Sequence, residues 1–177
     1  MRRLLVPILL LVVAATGCGI SATTATPRCT STQRLALVAQ SVPAASYVPC
    51  VRALPEGWQS TGFDARTGST RMTLLSDRSG GRPVDVLLQR RCDLTGATEG
   101  TPHADGVRTY VRLATIAPTY AGTMYDVFPG GCVRYVFAFP RGPHIPLMEQ
   151  LSATVGLVRR ADLRRDLRRQ LDVELDP

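Results

Sequence analysis

Four cysteines, Cys29, Cys50, Cys92 and Cys132, are spread through the chain with roughly twenty or more residues between neighbours, whereas zinc sites draw on pairs two to four residues apart. An even set at such spacing reads as two disulfides, provided the chain folds in an oxidising compartment. Four cysteines allow three pairings. Cys29 with Cys50 and Cys92 with Cys132 are favoured, because the first two flank a single expected helix and the last two flank a run of expected strands. Closing each loop removes about 3 to 4 kcal/mol of chain entropy from the unfolded state. None of the four has the surroundings of a catalytic thiol, and no metal is expected on them.

The first residues supply that compartment. Met1-Arg2-Arg3 precedes an apolar run from Leu4 to Ala15, broken only by Pro7, and the small residues Ala14-Ala15-Thr16-Gly17 lead to Cys18. This is the order of a secretory signal. The apolar run is about a dozen residues, against roughly 20 for a helix across a bilayer, so a permanent span is disfavoured.

The tetrad Ala15-Thr16-Gly17-Cys18 resembles the lipobox of bacterial lipoproteins, with Ala15 where leucine is commonest. The resemblance implies that residues 1–17 are a signal peptide and that Cys18 receives a diacylglyceryl group and becomes the mature N-terminus. The protein would then be lipid-anchored at the cell membrane on its extracytoplasmic side. Several acyl chains anchor stably, each buried methylene adding about 0.8 kcal/mol. The small polar residues of 18–28 read as a lipidated flexible tether, and 29–177 as a single extracytoplasmic domain long enough for one core.

All 21 basic residues are arginine, and lysine and asparagine are absent. With plentiful alanine, glycine and proline, this usage resembles that of actinobacterial proteins from GC-rich genomes. Lysine Schiff-base chemistry and N-glycosylation are thereby excluded.

A helix is expected from about Thr30, where Thr30-Ser31-Thr32-Gln33 has the form of a capping box and Leu35, Val38, Ala39 and Val42 share one face. Pro43 ends it, and an extended segment, Ala44 to Val51, brings Cys50 back beside Cys29. From Trp58, which pins the start of the first strand, β-type runs follow: Arg71 to Leu75, Val84 to Arg91, Arg108 to Ala114, Met124 to Phe128 and Val133 to Phe139. Turn residues at 66–69, 79–83 and 129–131 separate them. Helical spacing returns with Leu147, Leu151 and Val155, with Pro146 in the first turn, and then with Leu163, Leu167 and Leu171. The expected fold is α+β: an antiparallel meander of five or six strands, with an N-terminal helix and C-terminal helices packed on one face.

Linear catalytic signatures such as His-Glu-x-x-His, Gly-x-Ser-x-Gly, a P-loop or Cys-x-x-Cys are missing. His103 and His144 sit beside prolines in loop-like stretches and read as exposed loop residues. No catalytic residue, cofactor or metal is therefore assigned. A net charge of +7 raises nucleic acid as a partner, but the arginines are not interleaved with aromatics and export argues against it. The most basic segment carries Arg160, Arg164, Arg165, Arg168 and Arg169. It reads first as a solvated helix face, with Asp162 and Asp166 three residues before Arg165 and Arg169. Its functional reading is contact with anionic lipid or an envelope polymer. Tyr110, Tyr120, Tyr125, Tyr135, Phe128, Phe137 and Phe139 read first as core and second as walls of a ligand cleft.

The expectation is a non-enzymatic envelope lipoprotein that binds a ligand or a protein at the outer face of the cytoplasmic membrane. The rivals are a hydrolase of envelope material using scattered residues such as Asp126, Asp85 or His144, and an accessory subunit of a membrane complex. Carboxylate pairs need no linear motif.

Overall fold

The alternation from Val133 to Phe139 places Val133, Tyr135, Phe137 and Phe139 on one side of a strand, and all four are buried. They belong to a computed structural model that describes residues 26–140 and 144–175. The signal segment, Cys18 and the tether up to residue 25 lie outside the described residues. The chain runs α1 (Thr32–Ser41), β1 (Tyr47–Val51), β2 (Trp58–Arg66), β3 (Ser69–Ser76), β4 (Val84–Gln89), β5 (Thr98–Glu99), β6 (Arg108–Thr115), β7 (Thr119–Phe128), β8 (Gly131–Pro140), α2 (His144–Thr154), β9 (Val155–Arg159) and α3 (Arg160–Leu171).

Among the described residues the fold is α+β, with three α-helices and a seven-stranded antiparallel sheet ordered β2-β3-β4-β8-β7-β6-β5. This corrects the single meander of five or six strands. Two runs of hairpins meet where β4 pairs with β8, in the register Val86↔Tyr135 and Leu88↔Val133. β4, β8, β7 and β6 thus stand in Greek-key order. The connection after Gln89 carries the chain from the middle of the sheet to its edge at β5, and the Cys92–Cys132 disulfide fastens that crossover to the start of β8. Sequence shows which runs are strands, but adjacency between β4 and β8 depends on which apolar faces meet.

A second correction concerns the C-terminal third. Val155 does not continue the helix of Leu147 and Leu151 but opens β9, which pairs antiparallel with β1 from Val51↔Val155 to Tyr47↔Arg159. The β-branched Val155 and Val158 favour extended backbone over helix and Gly156 weakens a helix, and β1, buried along its whole length, gains its ladder partner there. Gly156 lies opposite Cys50, and a Cβ on it would press on Cys29 Sγ and the Arg52 side chain. Leu171 is also displaced from the expected apolar stripe: it is exposed, while Leu163 and Leu167 are buried and Leu175 folds back into the core after a left-handed Asp172.

α1 begins later than the capping box predicts. Its N-cap is Ser31, without a side-chain capping bond, and the Thr32 hydroxyl bonds Gln170 Oε1 instead. The preceding residues are held by the Cys29–Cys50 disulfide and by the bridge between Arg28 and Val51, which fixes where a helix can start. The helix buries Leu35, Val38 and Ala39, and its backbone leaves helical geometry at Val42 before Pro43.

One core joins Leu35 and Val38 of α1, Leu147 and Leu151 of α2, and Leu163 and Leu167 of α3 to the inner sheet face of Met72, Val86, Val133 and Tyr135. Burying each such side chain contributes about 1.5 to 3 kcal/mol. On the opposite face Tyr125, Leu87 and Cys132 are buried apart from that core. The Arg112 guanidinium stacks 5.6 Å from the Tyr125 ring centre and donates to Thr95 O, tying the crossover down. At the β7–β8 turn, left-handed Gly130 lies so close to the Ala44 carbonyl that a side chain there would collide with it.

Candidate functional site

Asp126 sits near the C-terminal end of β7 on the inner face of the sheet, and its carboxylate is wholly buried. A buried charge persists only where donors replace its water, and three converge here. Thr109, directly opposite on β6, donates to Oδ1 at 2.7 Å. Tyr135 on β8 donates to Oδ2 at 2.8 Å, and Nδ1 of His103 lies 2.9 Å from the same oxygen. An ionised carboxylate only accepts, so Nδ1 of His103 is the donor in this contact. The His103 side chain keeps 26% of its surface in solvent. Burial, and then the charge of Asp126, hold the Tyr135 phenol well above the usual tyrosine pKa.

The segment carrying His103 is anchored from both sides. Gly100 donates to Thr109 O and Val107 to Ala104 O. From the other layer, the Tyr47 hydroxyl donates to Asp105 O at 2.6 Å while accepting from Arg159 Nε at 3.2 Å. Neither the proline before His103 nor its distance from Asp126 along the chain signals this pairing. It arises because the β6–β7 hairpin folds residue 109 onto residue 126.

The residues proposed for a hydrolase do not come together. Asp85 accepts from Thr73 on the outer sheet face, opposite to Asp126. His144 stacks on Tyr120 with ring centres 4.7 Å apart, and Tyr120 in turn stacks on Phe137 and Phe137 on Phe139. Tyr120 and Asp126 lie on one strand, about 20 Å apart at the usual rise per residue. Of the aromatics read first as core, Phe128, Tyr135, Phe137 and Phe139 are buried in it, while Tyr110 is partly exposed on the outer face.

The arginines of α3 divide. Arg160 is buried and donates to Ala39 O at 2.7 Å; this corrects its place in a surface strip, since it packs α3 onto α1. Arg165 pairs with Asp162, Arg169 with Asp166, and Arg168 with Glu174. Arg164 lines a shallow depression with Tyr47 and Arg159. The strip is thus largely neutralised by its own carboxylates.

A second basic cluster had no signal in the sequence, because its members are scattered. Arg28, Arg34 and Arg52 surround an open depression of about 260 Å³ with an apolar lining from Val51, Ala53 and Leu54. At the far end of α2, large apolar side chains stand in solvent around the Tyr120–His144 stack: Ile116 is 71% and Ile145 60% exposed, and Leu113 opposes Gly122 beside them. No family model, curated protein or solved structure matches the chain.

Proposed function

We propose that the protein is a lipid-anchored module, acylated at Cys18, that binds a ligand or protein partner on the extracytoplasmic side of the cell membrane. Two disulfides join Cys29 to Cys50 and Cys92 to Cys132, and such bonds persist in an oxidising compartment. The observation that carries the binding role is the apolar pole of Ile116, Ile145 and Leu113, exposed near the Tyr120–His144 stack, since exposed apolar surface marks interaction sites. That pole lies at the N-terminal end of α2. The tether joins the fold beside Val51, whose strand neighbour Val155 follows the C-terminal end of the same helix. An 11-residue helix separates the two by about 16 Å, so the pole and the root of the tether lie at opposite ends of α2.

A photoreactive side chain at 116 or 145, activated in intact cells, tests this reading. A discrete cross-linked species at both positions, weakened by Tyr120→Asp and missing from equally exposed Leu37, is expected. Identical labelling at all three positions sinks it.

The 2.9 Å contact of His103 with Asp126 favours a second reading: hydrolysis of envelope material with His103 Nε2 as base, oriented by Asp126. Incubation with isolated envelope polymers would then release products that His103→Gln abolishes. Equal release by that variant removes this reading.

A further inference from the structure

The depression at the root of the tether is lined by three arginines, Arg28, Arg34 and Arg52. All three residues are exposed, and none of them forms an ion pair with a carboxylate among the described residues, unlike Arg165, Arg168 and Arg169. No acidic residue lines the space. The groups come from separate places: Arg28 from the last tether residue before Cys29, Arg34 from the first turn of α1, and Arg52 from the end of β1. The Cys29–Cys50 disulfide, the Arg28–Val51 bridge and the bond from Arg52 N to Thr154 O hold these backbones together.

We propose that this cluster binds the phosphate of an anionic glycerolipid headgroup in the leaflet that carries the anchor. Guanidinium forks match phosphate oxygens bidentately. A space of about 260 Å³ is smaller than the roughly 300 to 1,000 Å³ of drug-sized ligand pockets, and its apolar lining suits the glycerol beside a phosphodiester. The inference rests on the anchored reading for its geometry. From Cys18 to Thr26 the chain reaches at most about 28 Å when fully extended, so the three arginines stay within reach of the headgroups. Bound headgroups would then orient the domain on the membrane, with the apolar pole outward.

The mature chain from residue 18 carrying Cys18→Ser, which has neither the apolar signal segment nor an acylation site, is floated with vesicles of phosphatidylcholine alone or mixed with phosphatidylglycerol. Binding is expected only to the mixed vesicles, falling as salt rises. Each arginine removed lowers it about fivefold, so Arg28→Gln/Arg34→Gln/Arg52→Gln together lower it by roughly two orders of magnitude. Arg164→Gln/Arg168→Gln leaves it within about twofold of the parent. A matched melting temperature shows that the triple variant is folded.

Absence of phosphatidylglycerol dependence, or loss of binding in the α3 variant instead, overturns the proposal. Binding of inorganic phosphate or glycerol phosphate without vesicle binding assigns the site to a soluble phosphate and overturns the lipid source. Acylation of Cys18 in the native chain is read separately by mass, so failure of the anchor and failure of this site are distinguishable.

Discussion

His103 Nδ1 lies 2.9 Å from Oδ2 of Asp126, a carboxylate with no solvent exposure. The contact joins His103, whose ring also meets the Tyr135 ring edge-on, to a charge buried in the sheet. Asp126→Ala removes the acceptor of Thr109, Tyr135 and His103 together, leaving two buried hydroxyls unpaired at about 1 to 3 kcal/mol each. His103→Gln can keep one donor and should cost under about 1.5 kcal/mol. Urea unfolding of both variants checks the order, and equal losses would show that His103 carries the cluster.

Alkaline stability follows from Tyr135. Its pKa is raised in the folded state by burial first and by Asp126 second, while an unfolded phenol ionises near about 10. The stabilisation is therefore complete below about pH 10 and is lost as pH climbs from there towards the raised folded value, at about 1.4 kcal/mol per pH unit. Lysine is absent from the chain, so no lysine side chain titrates in the same range. Denaturant titrations from neutral to strongly alkaline pH should show a plateau and then a fall that Tyr135→Phe blunts. A fall of the same size in Tyr135→Phe assigns the effect to other tyrosines.

Arg160 and Arg165 are five positions apart on one helix with opposite fates. Arg160→Gln strands the Ala39 carbonyl inside the α1–α3 contact and should cost about 1.5 to 3 kcal/mol. Arg165→Gln breaks an exposed pair with Asp162 and should cost under about 1 kcal/mol. Thermal or urea unfolding separates them, and equal costs would contradict the buried placement of Arg160.

Much of this was legible in the sequence because the signals are local. The alternation through β8, the glycine turns and the spacing of Leu35, Val38 and Ala39 act over a few residues, and the cysteines carry their own pairing logic. Illegible were relations made by distant partners. Val155 fits the helical spacing of Leu151 until β1 offers it a ladder, and Arg160 fits the charged strip until α1 approaches. Arg28, Arg34 and Arg52 have no common spacing at all. His103 and Asp126 meet only through the β6–β7 register.

The disulfides differ in what they fasten. Cys92→Ala/Cys132→Ala frees a crossover enclosing 40 positions, and Cys29→Ala/Cys50→Ala frees one of 21. Loop entropy alone predicts losses of about 4 and about 3 kcal/mol. Urea unfolding should rank them in that order. Retained stability in the Cys92→Ala/Cys132→Ala variant would mean that the Arg112 contacts suffice to hold the crossover.

The proposed address of the protein is tested most directly by the intact mass of the native chain extracted from the membranes of the cells that make it. A chain starting at Cys18 with the added mass of its acyl groups, gaining four hydrogens when its two disulfides are reduced, is expected. A chain recovered from the soluble fraction without acyl groups, or with its cysteines already reduced, would contradict it.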